Sequence, residues 1–171
     1  MKKIYRLLFV VLAFVFLALP IKAEYEPVVG ENINLTMNVD EDGQIHVKTV
    51  LDVYFNELRH GIYVSLPQRY DMEFNSQKKV YYFPITNISG KGHDMSIDSN
   101  RSGVVLRFGS ESEQVQGPVR YEYEYTVNTM DLDLDGLQML YFNIVGQDWD
   151  FPINSVNFQI EMPKSFGDEI Y

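Results

Sequence analysis

From Asn32 onward, apolar residues recur at every second position rather than every third or fourth. Ile33, Leu35, Met37 and Val39 fall on one face of an extended chain, and Ile45, Val47, Leu51, Val53 and Phe55 do the same in the next run. Alternation of this kind is the signature of a half-buried strand. Between the two runs stands Asp40-Glu41-Asp42-Gly43-Gln44, where Gly43 tolerates the positive φ of a tight turn, so the two runs predict a hairpin. Further strands are predicted over 79–85, 103–109, 118–127, 138–145 and 155–162. Pro84 inside the first of these points to an edge or a bulge. Within 118–127, Val119, Tyr121, Tyr123, Tyr125 and Val127 face one way and Arg120, Glu122, Glu124 and Thr126 the other, which is an antiparallel strand with one wet face. Residues 69–79 and 110–117 read as the longest polar loops. Many short strands separated by Gly, Asn, Asp and Pro clusters predict an all-β fold, an antiparallel β-sandwich of immunoglobulin-like or jelly-roll-like type.

The alternation begins only after a different kind of segment. Lys2, Lys3 and Arg6 precede an apolar run from Leu7 to Leu19 and then Pro20-Ile21-Lys22-Ala23. A basic start, a short apolar stretch and a small residue before the cut describe a secretory signal peptide over residues 1–23. The run is shorter than the roughly 20 residues that span a bilayer. Residues 24–171 then make one domain, read as the N-terminal part of a longer membrane-anchored protein or as a short secreted relative.

Charge and cysteine usage narrow the function. The segment before Glu24 holds four basic and no acidic residues, so the remainder carries 10 Lys and Arg against 24 Asp and Glu. An acidic surface repels phosphate backbones, which argues against nucleic acid as a partner. The chain has no cysteine, so the exported fold stands on packing without disulfides.

Candidate chemistry is sparse. Asp131, Asp133, Asp135 and Gly136 supply the first half of a calcium loop, but its twelfth position is Phe142 rather than a bidentate Glu. Asn38, Asp40, Asp42 and Gly43 make the same half-motif across the predicted hairpin, with Thr49 at position twelve. Acidic turns produce this pattern without metal, so turns are the expectation at both places. Asp131, Asp133 and Asp135 stay as a candidate calcium site that Asp148 and Asp150 could complete; no other cofactor is expected. Asp148 and Asp150 lie two apart on a predicted extended segment, so their carboxylates would share one side, an arrangement that could serve a glycan hydrolase. The alternative is an acidic turn capped by a packed Trp149. His46, His60 and His93 show no metal-ligand spacing. Arg59, His60, Tyr63 and Trp149 are the candidates for a recognition loop, with a structural role as the alternative for His60. Tyr121, Tyr123 and Tyr125 would serve a carbohydrate-binding module if exposed and the core if not.

Two stretches go beyond pattern. His60-Gly61-Ile62-Tyr63-Val64-Ser65-Leu66-Pro67 and the run from Leu140 to Pro163, with its Asn-x-x-Gly and Trp-Asp-x-Pro-Ile elements, resemble the N-terminal domain of a family of predicted bacterial membrane proteins sometimes called YciQ-like. Val64 and Ser65 stand where members often carry Arg and Asp, which counts against a charged site at that turn, and Phe142 stands where Trp is common. The resemblance implies an extracytoplasmic β-domain followed by transmembrane helices, with no assigned activity. The expectation is a non-enzymatic interaction domain of a membrane-associated envelope protein, its partner another envelope protein or polymer.

Overall fold

The computed structural model describes residues 25–74, 77–129, 142–146 and 148–163. Among these residues ten strands run in chain order: β1 (Val28–Val39), β2 (Gln44–Arg59), β3 (Ile62–Pro67), β4 (Arg69–Phe74), β5 (Gln77–Tyr82), β6 (Ile85–Lys91), β7 (Met95–Ser99), β8 (Gly103–Phe108), β9 (Val115–Asn128) and β10 (Val156–Glu161). They form a five-stranded sheet ordered β10-β1-β2-β9-β6, a three-stranded sheet ordered β3-β8-β7, and the β4-β5 hairpin. The fold is all-β and its layout is that of a sandwich. Every pairing is antiparallel except β1 with β10, which run parallel with Leu35 beside Phe158 and Met37 beside Ile160. A parallel neighbour needs a long return connection, and the chain between β9 and β10 provides one.

The predicted hairpin is β1-β2. Gly43 takes φ +75°, and Asp40 Oδ1 accepts hydrogen bonds from the backbone N–H groups of Asp42 (3.0 Å) and Gln44 (2.8 Å). The Asp40 carboxylate therefore stabilises the turn itself. The alternating residues of β1, β2 and β9 bury Ile33, Leu35, Met37, Ile45, Val47, Leu51, Val53, Phe55, Tyr121, Tyr123, Tyr125 and Val127 against Val64, Leu66, Val104, Leu106 and Phe108 of the smaller sheet. Phe108 joins the layers, its ring centroid 5.3 Å from Tyr121 and 5.6 Å from Tyr123.

Several elements differ from the sequence expectation. Residues 69–79, read as a polar loop, hold β4 and the first half of β5. The single strand expected over 79–85 is two: β5 ends at Tyr82, and β6 begins at Ile85 in another sheet, with Phe83 and Pro84 at the crossing. Proline has no N–H for a ladder, and here its carbonyl accepts from Asn128 N. Residues 142–145 of the strand expected over 138–145 are irregular, and the rest of it lies outside the described residues.

One buried polar side chain organises these crossings. Gln68, between β3 and β4, donates from Nε2 to Asn100 O (3.1 Å), and its Oε1 accepts from Ile85 N (2.8 Å) and the Tyr82 hydroxyl (3.4 Å). Its backbone N donates to Ser102 O and its carbonyl accepts from Phe83 N. One residue thus ties β5, β6 and the β7-β8 turn together.

Candidate functional site

The last residues of β2 diverge from β9 through a register shift between Phe55 and Arg59. A groove of about 490 Å³ lies between this end of β2, the start of β3 and the end of β8. Two glycines set its geometry. Gly61 and Gly109 cross with φ +121° and +112°, so close that a Cβ on Gly61 would sit 1.8 Å from Phe108 O and one on Gly109 1.9 Å from His60 O. Only glycine permits both the approach and the conformation.

His60 fixes the wall beside this crossing. Its Nδ1 faces two carbonyl oxygens, Glu113 O at 2.9 Å and Ser110 O at 3.2 Å, so the proton resides on Nδ1 and is donated to them. Gln114 Nε2 approaches His60 Nε2 at 3.4 Å from the other side. The imidazole thereby fastens the 110–114 loop to the β2-β3 connection. Ile62 turns into the core, and the next residue, Tyr63, turns out.

Exposed on the groove are Leu58 at 57% and Tyr63 at 55%, both large and apolar for so open a position. The Arg107 guanidinium stands 6.0 Å from the Tyr63 ring centre, within cation–π reach. Arg59 pairs with Glu57 and Arg107 with Glu111 (3.8 Å), so the arginines do not form a free basic patch. Leu58 and Arg107 escaped sequence reasoning. The available signal was Arg107 as the one charged residue inside the apolar 103–109 run.

Trp149 is not part of this surface. It is half-buried, donates from Nε1 to Val145 O (2.7 Å), and packs on Phe151 with ring centres 5.4 Å apart. Asp148 beside it takes φ +63°, so 148–150 is not the extended segment expected from the sequence. A left-handed residue turns the chain, and the carboxylates of Asp148 and Asp150 stand exposed with no alternating geometry to bring them together. Asn143 Oδ1 accepts from Gly146 N, and Gly30 N donates to Pro152 O, stitching this stretch to β1. Asp131, Asp133 and Asp135 lie outside the described residues. Among the described residues no group of three or more His, Asp or Glu converges as metal ligands would.

Tyr121, Tyr123 and Tyr125 are buried, so that face offers no exposed platform for a sugar ring. Burial raises the Tyr121 hydroxyl pKa to about 12. It raises Tyr123 further, with Thr49 nearby offsetting part of the shift, and it raises Tyr125 strongly, aided by repulsion from Tyr123 and Tyr70. On the outer face of the large sheet, Arg120 grips Asp52 through two bonds of 2.7 and 3.1 Å, and this pairing raises the arginine pKa.

The two stretches singled out in the sequence thus have structural explanations: His60 and Gly61 set a backbone crossing, and the Asn143-to-Ile153 stretch closes onto β1. A family model described as "Predicted membrane protein (DUF2207) N-terminal domain" matches residues 31–171. The chain belongs to that family. Its function in the family is unknown, so membership brings a membrane-protein context without chemistry. No helix among the described residues is long and apolar enough to cross a membrane. No match was found among curated proteins. Among solved structures, the chain is distantly similar to an M1 zinc metallopeptidase from Deinococcus radiodurans, at 12% identity and TM-score 0.37 over 67% of this chain and 23% of that one. It is likewise similar to leukotriene A4 hydrolase from Saccharomyces cerevisiae, at 12% identity and TM-score 0.35 over 66% and 18%. The chain spans about a fifth of the length of such structures, and likenesses this distant carry no argument.

Proposed function

We propose that this domain is a non-enzymatic recognition module, exported from the cytoplasm and held in the cell envelope as part of a membrane protein, and that it binds another envelope protein through the β2-β3-β8 groove. The observation that carries the reading is the exposed Leu58, Tyr63 and Arg107 cluster on a backbone crossing made rigid by Gly61, Gly109 and His60. Tyrosine and arginine contribute most to protein interfaces, because they offer large contact area together with a polar end. A rigid support lowers the ordering cost on binding. The basic and apolar N-terminus supports export, and the family description supports the membrane context.

The test compares envelope fractions from cells making the wild-type chain or the Tyr63→Ala, Arg107→Ala double variant. The reading expects a discrete complex with wild type and its loss with the variant, at unchanged melting temperature. An equal yield of complex from both chains would contradict it.

A further inference from the structure

A second surface lies at the β10 edge of the large sheet, and it stands independently of the groove. Strand β10 is terminal in the sheet order, so among the described residues its outer backbone edge has no strand beside it. Its core-side residues continue the rows of β1: Val156 lies beside Ile33, Phe158 beside Leu35 and Ile160 beside Met37. Their β1 neighbours are buried, yet Phe158 is 56% and Ile160 37% exposed. Natural edge strands are ordinarily protected by lysine, proline or a bulge. The six residues of β10 contain none of these, and their one charge is Glu161.

We propose that two copies of the chain associate through the outer edges of β10, antiparallel about a two-fold axis, with Phe158 opposite the partner's Ile160. Only registers that keep the faces aligned are allowed. This one zips both exposed apolar residues of each copy against those of the other. It also sets Glu161 against the partner's Asn157 and Gln159 against the partner's Gln159, so no like charges meet. The neighbouring aligned register sets Phe158 against itself and spends Ile160 on Val156, which already packs on the core. The pairing is self-complementary, as a two-fold interface requires, and it joins two five-stranded sheets into one of ten. A six-residue edge is small beside the roughly 800 Å² per partner of a standard interface, so the dimer is weak. After residue 23 each copy carries 10 Lys and Arg against 24 Asp and Glu, a formal charge of −14, so added salt strengthens the contact by screening the repulsion.

The test is sedimentation equilibrium on the full chain recovered from a secreting host, with two sets of variants. The average mass should rise from monomer toward dimer between about 10 μM and 1 mM, the range of weak contacts, and rise further with salt. Ile160→Lys should move the transition at least tenfold higher in concentration, whereas Ile97→Lys, on exposed edge strand β7, should leave it in place. Because the chain has no cysteine, Gln159→Cys places one thiol next to the two-fold axis, and its oxidation to a disulfide dimer should run at least tenfold faster than that of Ile97→Cys. A wild-type chain that stays monomeric throughout, an Ile160→Lys variant that associates like wild type, or equal cross-linking at 159 and 97 would each overturn the proposal.

Discussion

Replacing Gln68 by methionine keeps the length of the side chain and removes its polar atoms. Ile85 N–H then loses its acceptor and Asn100 O its donor, bonds of 2.8 and 3.1 Å in the native fold. A buried group left without a partner costs about 1–3 kcal/mol. Ile85 is half-buried and bears most of that cost, while water reaches the exposed Asn100 and recovers part of it. A total of about 2.5 kcal/mol follows. At about 2–4 °C per kcal/mol for a domain of this size, the melting temperature of Gln68→Met should fall by about 5–10 °C. Gln68→Glu sharpens the test. The carboxylate can still accept from Ile85 N but cannot donate to Asn100 O, and burial disfavours its charge. Burial would raise its folded pKa above the ordinary carboxyl value of about 4.3, so the deficit relative to wild type should be small below that pH and grow as pH rises. A thermal melt monitored by circular dichroism at several pH values reads both effects. A loss under about 2 °C for Gln68→Met, or a pH-independent deficit for Gln68→Glu, would refute the role assigned to this residue.

Other expectations follow from the same geometry. Gly61→Ala should leave no folded protein in a soluble-yield assay, since its Cβ would overlap Phe108 O, whereas Gly92→Ala, with φ +83° but open space around it, should cost only about 1–2 kcal/mol. Asp40→Ala removes the acceptor for two turn N–H groups and should lower the melting temperature by about 2–4 °C, equivalent to about 1 kcal/mol. The buried tyrosines should make the fold sensitive to alkali. Tyr121 has its pKa raised from 10.0 to about 12, so the native state keeps a proton that the unfolded chain loses, and stability should decline from about pH 10 toward pH 12. Tyrosinate absorbance and circular dichroism should then change together in one cooperative step, and gradual ionisation of all tyrosines without unfolding would count against their burial.

The strands visible in the sequence were those with one wet face. In β1, β2 and β9 alternation survives because the outer face carries Asn, Lys, Glu and Arg, and those strands form the centre of the large sheet. β7 was missed because Met95–Ser99 buries almost nothing and shows no apolar period. β4 and the start of β5 were missed because Arg69, Asp71, Glu73 and Lys78 crowd charge into the stretch, which reads as polar loop. Gln68 was illegible for another reason: its value lies in partners on β5, on β6 and before β8, which local sequence cannot supply. The recognition candidates divided on the same principle. Arg59, His60 and Tyr63 are neighbours in sequence and share a surface, whereas Trp149 belongs to a stretch that closes onto β1. The left-handed turn at Asp148 gave no sign in the pattern, because aspartate tolerates that conformation without needing glycine.

Recognition through the β2-β3-β8 groove is tested most directly by a photo-reactive amino acid placed at position 63 in cells that make the chain, with position 82, an aromatic 45% exposed against 55%, as the control. The account predicts a single discrete adduct with an envelope protein from position 63 and none from position 82. Adducts of the same pattern from both positions, or none from position 63, would contradict it.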